Sequence, residues 1–500
     1  MNTHELPILV DRTSALPLAA QLASALRLAI LDGTLRRGEP VPSTRALAGS
    51  VRVSRGTVVA AYDQLAGEGY LHTTPGSATR VMVERHGTSA VAGPPDTGAQ
   101  TDAGVTAPAL PTGTPSTPLV LDLAPGHPST RTLVDPAWTA AWRSAVAAAG
   151  RSDSPSATGT PELRAAIAEH VRRARGLDCR PENVIVTAGT SDALASIALA
   201  ALAGAGGEGE AAPGTPRIAV EDPGYPTARR VLRRVGARLQ PVRTGDDGID
   251  LAGLAALTPT PHAVLVTPSH QYPLGGSLSV QGRLDLLDWA RAAGAVVIED
   301  DYDSEFRFGT SPLPALATLD TSGRVALVGS FSKTVTPWIR CGYIVATGDL
   351  GSALREVRED LGPPVSGVQQ AALARYLESG GLARNVTRVR REYAHRRALV
   401  LAKLGALPGV RLAGLDGGLH VVVHTDGLPR TASGAKGRAD ASVLVAHAAA
   451  RGVRVVSLAD YAVVDRGQHG LVLGYGAPTD LELARALDVL ADLLTASVTN

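Results

Sequence analysis

The sequence predicts an α/β fold preceded by a small helical module and a flexible tether, on three observations. Beyond residue 121, β-branched runs alternate with stretches of helical periodicity; before residue 84, three helix-like stretches lead into two short strand-like runs. Between them, 26 of the 32 residues from 87 to 118 are Gly, Pro, Ser, Thr or Ala. Five hundred residues with 44% hydrophobic content support more than one core. No run approaches the roughly 18–20 consecutive apolar residues that span a bilayer, so no membrane partner is expected. Residues 1–12 lack a basic segment followed by an apolar one, which makes a cytoplasmic location the expectation. Two cysteines, Cys179 and Cys341, are too few for a disulfide framework or a metal cluster and read as space-filling in a reducing compartment.

In residues 1–84, Leu18, Leu22, Ala25, Leu26 and Ala29 recur at helical spacing, with Pro17 suited to a first turn and Gly33 to an exit. Ser43 follows Pro42 as N-cap of a second helix carrying Leu47 and Ala48, and Ser54 opens a third with Val58, Val59, Tyr62 and Leu65. Residues 70–73 and 79–83, joined through Pro75-Gly76, read as two short strands. Two helices across a tight turn followed by a strand pair make a winged helix-turn-helix arrangement, whose second helix enters a DNA major groove. The charges agree locally: Arg36, Arg37, Arg45, Arg52 and Arg55 face only Glu39, although the whole chain nets +1. Guanidinium groups neutralise phosphates or bind guanine edges, and the Ser54 and Thr57 hydroxyls can hold phosphate oxygens. On spacing alone, a small helical bundle with solvated arginines is an equally good reading.

Residues 85–120 are expected to form a flexible linker, because they lack the large apolar side chains that offset ordering entropy. As a flexible chain this segment spans on the order of 30 Å. Residues 121–500 form the large domain. There, Val184-Ile185-Val186-Thr187, Ile218-Ala219-Val220 and residues 263–267, 296–300, 325–329 and 343–347 are strand-like, with helical stretches at 161–175, 192–202 and 282–293. This alternation predicts a mainly parallel sheet covered on both faces. From about Val365 the pattern turns helical and then α+β, predicting a smaller C-terminal lobe.

Such a sheet serves many chemistries, and its ligands bind at the carboxyl ends of the strands. Only three of 48 basic residues are Lys, namely Lys333, Lys403 and Lys436. Lys can form a Schiff base and Arg cannot. Lys403 lies in a helix-like stretch and Lys436 in a loop-like one, whereas Lys333 directly follows a strand in Gly329-Ser330-Phe331-Ser332-Lys333-Thr334, with Arg340 seven residues on. A covalently held cofactor can sit there, with hydroxyls and an Arg for a phosphate. A second strand ends in the acid-rich run Glu299-Asp300-Asp301-Tyr302-Asp303-Ser304-Glu305-Phe306. Clustered acids read as a solvated loop or a metal site, but no His accompanies them in the run, and no metal is assigned. An Asp at a strand end also meets the need of a protonated pyridine nitrogen. A third strand runs into Ala188-Gly189-Thr190-Ser191-Asp192 and a helix, where amides and hydroxyls suit a phosphate. A fourth gives Glu221-Asp222-Pro223-Gly224-Tyr225, whose aromatic ring can lie on a flat ligand or pack in the core.

Two resemblances build on these residues. Val41-Pro42-Ser43-Thr44-Arg45-Ala46-Leu47-Ala48, then Val53-Ser54-Arg55-Gly56-Thr57-Val58 and Ala61-Tyr62-Asp63-Gln64-Leu65, resemble the GntR family of bacterial winged-helix repressors. This implies that Arg45, Ser54, Arg55 and Thr57 face double-stranded promoter DNA, that Gly76 lies in the wing, and that Tyr62 and Leu65 are core. The four strand-end elements, in order, resemble the fold-type I enzymes of pyridoxal 5′-phosphate (PLP), the aspartate aminotransferase family. Joined through a linker, the two halves resemble the MocR/GabR subfamily of transcriptional regulators, as do Thr267-Pro268-Ser269-His270-Gln271-Tyr272-Pro273 and residues 299–306. The resemblance implies Lys333 as the Schiff-base lysine, Asp300 as partner of the pyridine nitrogen, Tyr302 on the ring hydroxyl and Tyr225 stacked on the ring. Ser330, Arg340 and the Gly189, Thr190, Ser191 turn would hold the phosphate. It also implies a homodimer with its site at the subunit interface.

Departures from the aminotransferase pattern accompany this. Tyr272 stands where an Asn usually precedes Pro273, Ser154-Pro155-Ser156 replaces a segment with an aromatic, and Gly470-Leu471-Val472-Leu473-Gly474-Tyr475 lacks the Arg that pairs with a substrate α-carboxylate. An apolar residue cannot replace a bidentate Arg clamp, so cofactor retention is expected to be intact and transamination impaired. The expected function is a PLP-dependent transcriptional regulator whose effector is PLP itself, as in PdxR-type control of vitamin B6 synthesis. An amino acid or amine reacting at the cofactor is the second effector, and an aminotransferase with an accessory DNA-binding arm the alternative.

Overall fold

The structure, a computed structural model, describes residues 10–12, 18–31, 34–67, 70–72, 78–82, 121–131, 133–148, 154–203, 215–308, 314–427, 441–464, 467 and 469–499. Gly76, the expected linker beyond 82 and Lys436 lie outside the described residues. The chain divides into two compact units, Met1–Val120 and Leu121–Asn500.

In the first unit, α1 (Leu18–Leu31) packs on α3 (Arg55–Gly67), and α2 (Thr44–Val51) precedes α3 across a turn at residues 52–54. The Ser43 hydroxyl accepts from the Ala46 amide at 3.2 Å, and Arg52 takes left-handed backbone (φ 55) to end α2. Ser54 plays the same capping part for α3, accepting from the Thr57 amide at 3.1 Å. Leu22, Leu26, Leu47, Val58 and Leu65 are buried between the helices. Tyr62 is buried too, its hydroxyl donating to the Pro42 carbonyl at 2.7 Å. Strands β1 (Leu71–His72) and β2 (Arg80–Val81) pair antiparallel, and Pro40 bridges to Arg80.

The second unit opens with β3 (Leu121–Asp122), α4 (Pro136–Ala147) and α5 (Pro161–Arg175). The Thr160 hydroxyl accepts from the Leu163 amide at the start of α5, and Gly176 ends it. An eight-stranded sheet follows, built with β4 (Val184–Thr187), α6 (Thr190–Ala203), β5 (Arg217–Asp222), α7 (Pro226–Arg234), β6 (Arg238–Gly245), β7 (Gly248–Ile249), α8 (Leu251–Ala255), β8 (Ala263–Val266), α9 (Val280–Ala293), β9 (Val296–Asp301), β10 (Val325–Ser330) and β11 (Gly342–Val345). Its order is β4-β11-β10-β9-β8-β5-β6-β7, with β10, β9, β8, β5 and β6 parallel, β11 antiparallel to both neighbours and β7 antiparallel to β6. The sequence reading missed β6 and β7, where Arg238, Gln240 and Arg243 break the apolar pattern at the edge of the sheet. The expected strand at 343–347 instead ends at Val345, because Thr347 is already the N-cap position of the next helix, α10 (Gly348–Leu361).

Alternate residues supply the two faces. Ile185, Val328 and Ile344 join Leu194 and Ile197 of α6 on one side. Val184, Val186, Tyr343 and Val345 join Leu163, Ile167 and Val171 of α5 on the other. Each such side chain contributes on the order of 1.5–3 kcal/mol when fully buried. Gly329 faces Tyr343 across β10 and β11, and a methyl group on Gly329 would run into the Tyr343 ring. Gly329→Ala is therefore expected to cost about 1–3 kcal/mol of stability, read as a lower urea midpoint. An unchanged midpoint would mean that the Tyr343 ring moves aside freely.

The C-terminal part adds α11 (Gly367–Glu378), α12 (Gly381–Leu404), β12 (Arg411–Ala413), β13 (His420–His424), α13 (Ala441–Ala450), β14 (Val453–Arg454), β15 (Val456–Ser457), β16 (Gly470–Gly474) and α14 (Asp480–Thr499). Strands β12-β13-β16-β15 form an antiparallel sheet, the expected α+β lobe. Strand β3 pairs parallel with β14, so the first described residues of this unit belong to its C-terminal lobe.

Candidate functional site

The carboxyl ends of β4, β5, β8, β9 and β10 bring the singled-out residues toward one edge of the sheet. Asp300 and Asp301 end β9, in register with Val328 and Gly329 of β10, and Lys333 follows β10 within one turn. The Lys333 amine donates to the Gly126 carbonyl. Burial lowers the Lys333 pKa, against the nearby Asp303 and Asp300 carboxylates, which raise it. Asp300 is buried, and desolvation together with Asp301, Glu221 and Asp303 pushes its pKa up to about 7, while Lys333 pulls it down. A small pocket lies beside it, lined by Glu221, Tyr225, Arg229, Thr267 and Asp300 among others.

Tyr225 follows β5 at that pocket, and its ring meets Tyr272 edge to face at 5.8 Å between centroids. Tyr272 in turn contacts Tyr302, His420 and Tyr461. Gly189, Thr190 and Ser191 form the entry to α6, where Asp192 accepts from the Ala188 amide at 2.9 Å. At the end of β10 the Ser330 hydroxyl donates to Ser332 at 2.9 Å. Arg340 is exposed with left-handed backbone (φ 38), and its charge acts on the Tyr225 phenol. In the first unit Arg45, Ser54 and Arg55 are exposed, Thr57 is half-buried, and the Ser54 and Thr57 hydroxyls lie 2.8 Å apart.

The acid-rich run differs from expectation. It is no solvated loop: Glu299, Asp300, Asp301, Asp303 and Glu305 are all buried. Arg175, at the end of α5, pairs with Asp301 and lies 2.8 Å from Glu305, which His170 also approaches at 3.4 Å. Arg175 and His170 hold the Glu305 carboxyl well below its ordinary range, despite burial. The run itself contains no His, but the fold brings His170 and His270 to it. Glu299 accepts from the Leu316 and Ala317 amides at 2.6 and 2.9 Å.

Several residues that shape the site carry little local signal. Gln271 donates to Glu221 at 3.2 Å, to the Pro223 carbonyl at 3.0 Å and to the Tyr272 carbonyl at 2.8 Å. Arg229 donates to the carbonyls of Gly224 (3.1 Å) and Tyr461 (2.7 Å). Asp222 accepts the Val463 and Val464 amides at 2.6 and 3.0 Å, which fastens the segment before β16 to the end of β5. Strand β16 presents Leu471, Val472 and Leu473, all buried, and carries no arginine. No described helix is long and apolar enough to cross a membrane.

Comparison with known proteins agrees with both units. The model of the aminotransferase class I and II family matches residues 119–465, and that of the gntR family of bacterial regulatory proteins matches residues 18–81. The chain is 38% identical, over 98% of its length and 99% of the relative's, to the HTH-type pyridoxine biosynthesis transcriptional regulator PdxR of Corynebacterium glutamicum. It is 35% identical to the probable rhizopine catabolism regulatory protein MocR of Rhizobium meliloti, over 79% and 78% of the two chains. Among solved structures, the α-aminoadipate aminotransferase LysN of Thermus thermophilus, complexed with N-(5′-phosphopyridoxyl)-L-leucine, superposes with a TM-score of 0.64 at 26% identity, covering 76% of this chain and 93% of that one.

Proposed function

The chain belongs to the MocR/GabR-type transcriptional regulators, in which a GntR helix-turn-helix precedes an aminotransferase class I and II domain; from that premise we propose that its larger unit holds PLP and that PLP itself sets how tightly the smaller unit grips promoter DNA. The observation that carries this is the meeting of Lys333 and Asp300 at adjacent strand ends, where each acts on the other's ionisation.

The residues present fit this cofactor. Bound, it would supply an electrophilic aldehyde carbon and a ring nitrogen able to carry a positive charge. Desolvation favours the neutral amine of Lys333, the form that can attack a carbonyl. Asp300, driven toward its protonated form by burial and neighbouring acids, gains most from a cationic partner and would hold the ring nitrogen. Tyr225 would cover one face of the ring and Tyr302 would bond its hydroxyl. Ser330, Arg340 and the Gly189, Thr190 and Ser191 turn, at the positive end of α6, would take the phosphate. The apolar β16 supports PLP over an amino acid as effector, because it offers no guanidinium to an α-carboxylate.

On the smaller unit, Arg45, Ser54, Arg55 and Thr57 would contact the phosphates and base edges of double-stranded DNA, with Gly76 in the wing. The protein would act in the cytoplasm as a homodimer. For PLP to regulate, bound DNA must change the affinity for PLP by the same factor by which PLP changes the affinity for DNA.

The test is fluorescence anisotropy on DNA from the region upstream of its own coding sequence, with protein stripped of cofactor and then titrated with PLP. A change in DNA affinity of about fivefold or more is expected, within the usual span of allosteric coupling. DNA affinity that ignores PLP but responds to an amino acid or amine would transfer the effector role to that ligand. Affinity that ignores both would leave the larger unit a scaffold.

A further inference from the structure

His270 lies between the cofactor site and the C-terminal lobe, and it is offered more partners than one imidazole can serve. Its Nδ1 lies 2.8 Å from an Asp303 carboxylate oxygen and 2.9 Å from the Tyr302 hydroxyl, and its Nε2 lies 3.2 Å from the Gly414 carbonyl. Both His270 and Asp303 are buried. Water therefore cannot substitute for a bond that either group gives up, and each loss carries a desolvation cost.

Gly414 begins a turn, residues 414–418, seated against the loops that carry the site. The Gly418 amide donates to the Phe306 carbonyl at 2.8 Å, and the Phe308 amide to the Asp416 carbonyl at 2.9 Å. Arg307 bridges to Gly417, and Arg397 donates to the Leu415 carbonyl. Gly418 has φ +72, and a Cβ there would overlap the Asp303 carboxylate and come within 2.8 Å of His270 Cε1. The turn thus packs directly on the His270 and Asp303 pair at Gly418. His420, on β13 just beyond the turn, stands 5.3 Å from His270 between ring centroids and donates through Nε2 to the Pro273 carbonyl at 2.9 Å. The contact between lobe and site is therefore polar and close-packed at once.

We propose that His270 is a positioning residue that reports occupancy of the cofactor site to the turn at residues 414–418. The inference rests on the cofactor reading above. A ring oxygen presented to Tyr302 competes with His270 for the Tyr302 hydroxyl. Released from Tyr302, Nδ1 no longer accepts and can take up a proton from solvent; the imidazolium then donates through Nδ1 to Asp303 and, as a charge-assisted bond, through Nε2 to Gly414, which tightens the turn against the site. Occupancy then becomes a local ordering of the C-terminal lobe without passing through Lys333.

The test is hydrogen exchange by mass spectrometry on the full chain, with and without PLP, in wild type, His270→Asn and His270→Gln. Asn places an amide near the position of Nδ1 and cannot reach Gly414; Gln places one near Nε2 and gives up the Tyr302 and Asp303 side. In wild type, PLP should slow exchange across residues 414–419 by roughly threefold or more, as expected when an opening becomes costlier. Both variants should bind PLP, shown by its visible absorbance, yet lose that slowing. Wild type that takes up PLP with unchanged exchange at 414–419 overturns the inference, whether or not either variant folds. So does a variant that binds PLP and keeps the full slowing. Wild type that takes up no PLP overturns the cofactor reading itself, and this inference with it.

Discussion

Lys333→Ala should yield a protein that loses PLP on gel filtration and whose DNA affinity responds only at higher PLP concentrations than wild type needs. The chain has three lysines. Lys403 is on α12, exposed and paired with Asp488, and so belongs to the surface. No described amine near the site can replace Lys333. Without it, Asp300, Tyr225 and the phosphate-binding groups remain, so weak non-covalent binding should persist. The PLP concentration giving half the DNA response should rise at least about tenfold, the equivalent of about 1.4 kcal/mol. The check is the visible spectrum before and after gel filtration, followed by the anisotropy titration. A mutant that stays coloured through the column would place the covalent hold elsewhere.

The largest effect on stability is expected at Arg175. Its guanidinium is 4% exposed and neutralises Asp301 and Glu305, 4% and 10% exposed. Arg175→Met keeps most of the apolar stem but leaves two carboxylates in a closed interior, a loss of about 3–5 kcal/mol near neutral pH. The pH dependence has a definite sign. In wild type Glu305 is held below its ordinary value of 4.5, so it contributes stability above that value, and the contribution is lost as pH falls. In Arg175→Met the Glu305 carboxyl keeps only His170 beside it and takes up a proton at higher pH, so the deficit should be greatest at about pH 7 and shrink toward about pH 5. Urea unfolding at both pH values decides it. An equal deficit at both would assign the loss to packing rather than charge.

How much of this was legible in the sequence depended on the range of the signal. Helix α5 was readable to the residue, because Thr160, Pro161 and Gly176 are local signals acting on their own backbone. Strands β4, β5, β8, β9 and β10 were readable from β-branched runs that are buried on both faces. Strands β6 and β7 were not, since an edge strand with arginines on it has no such run. At the site, Lys333 and Asp300 stood out because one follows a strand and the other lies at a strand's end. The burial of the acid-rich run did not, because Arg175 lies 126 positions from the Asp301 it neutralises. His270 and Gln271 sat inside the motif at 267–273, but what they touch, from Glu221 to Gly414, is settled only by the fold. Tyr461 reaches Tyr272 across 189 positions, and no local pattern marks it.

The pairing of β3 with β14 also bears on how the protein is made. Leu123 donates its amide to the Arg454 carbonyl at 2.9 Å and accepts from the Gly474 amide at 2.7 Å. The first strand of the large unit therefore waits for nearly the last. At ribosomal rates of about 5–20 residues per second, tens of seconds separate their emergence. The helix-turn-helix unit is complete long before that. A nascent chain can thus carry a finished DNA-binding head while its regulatory half is still without its closing strands.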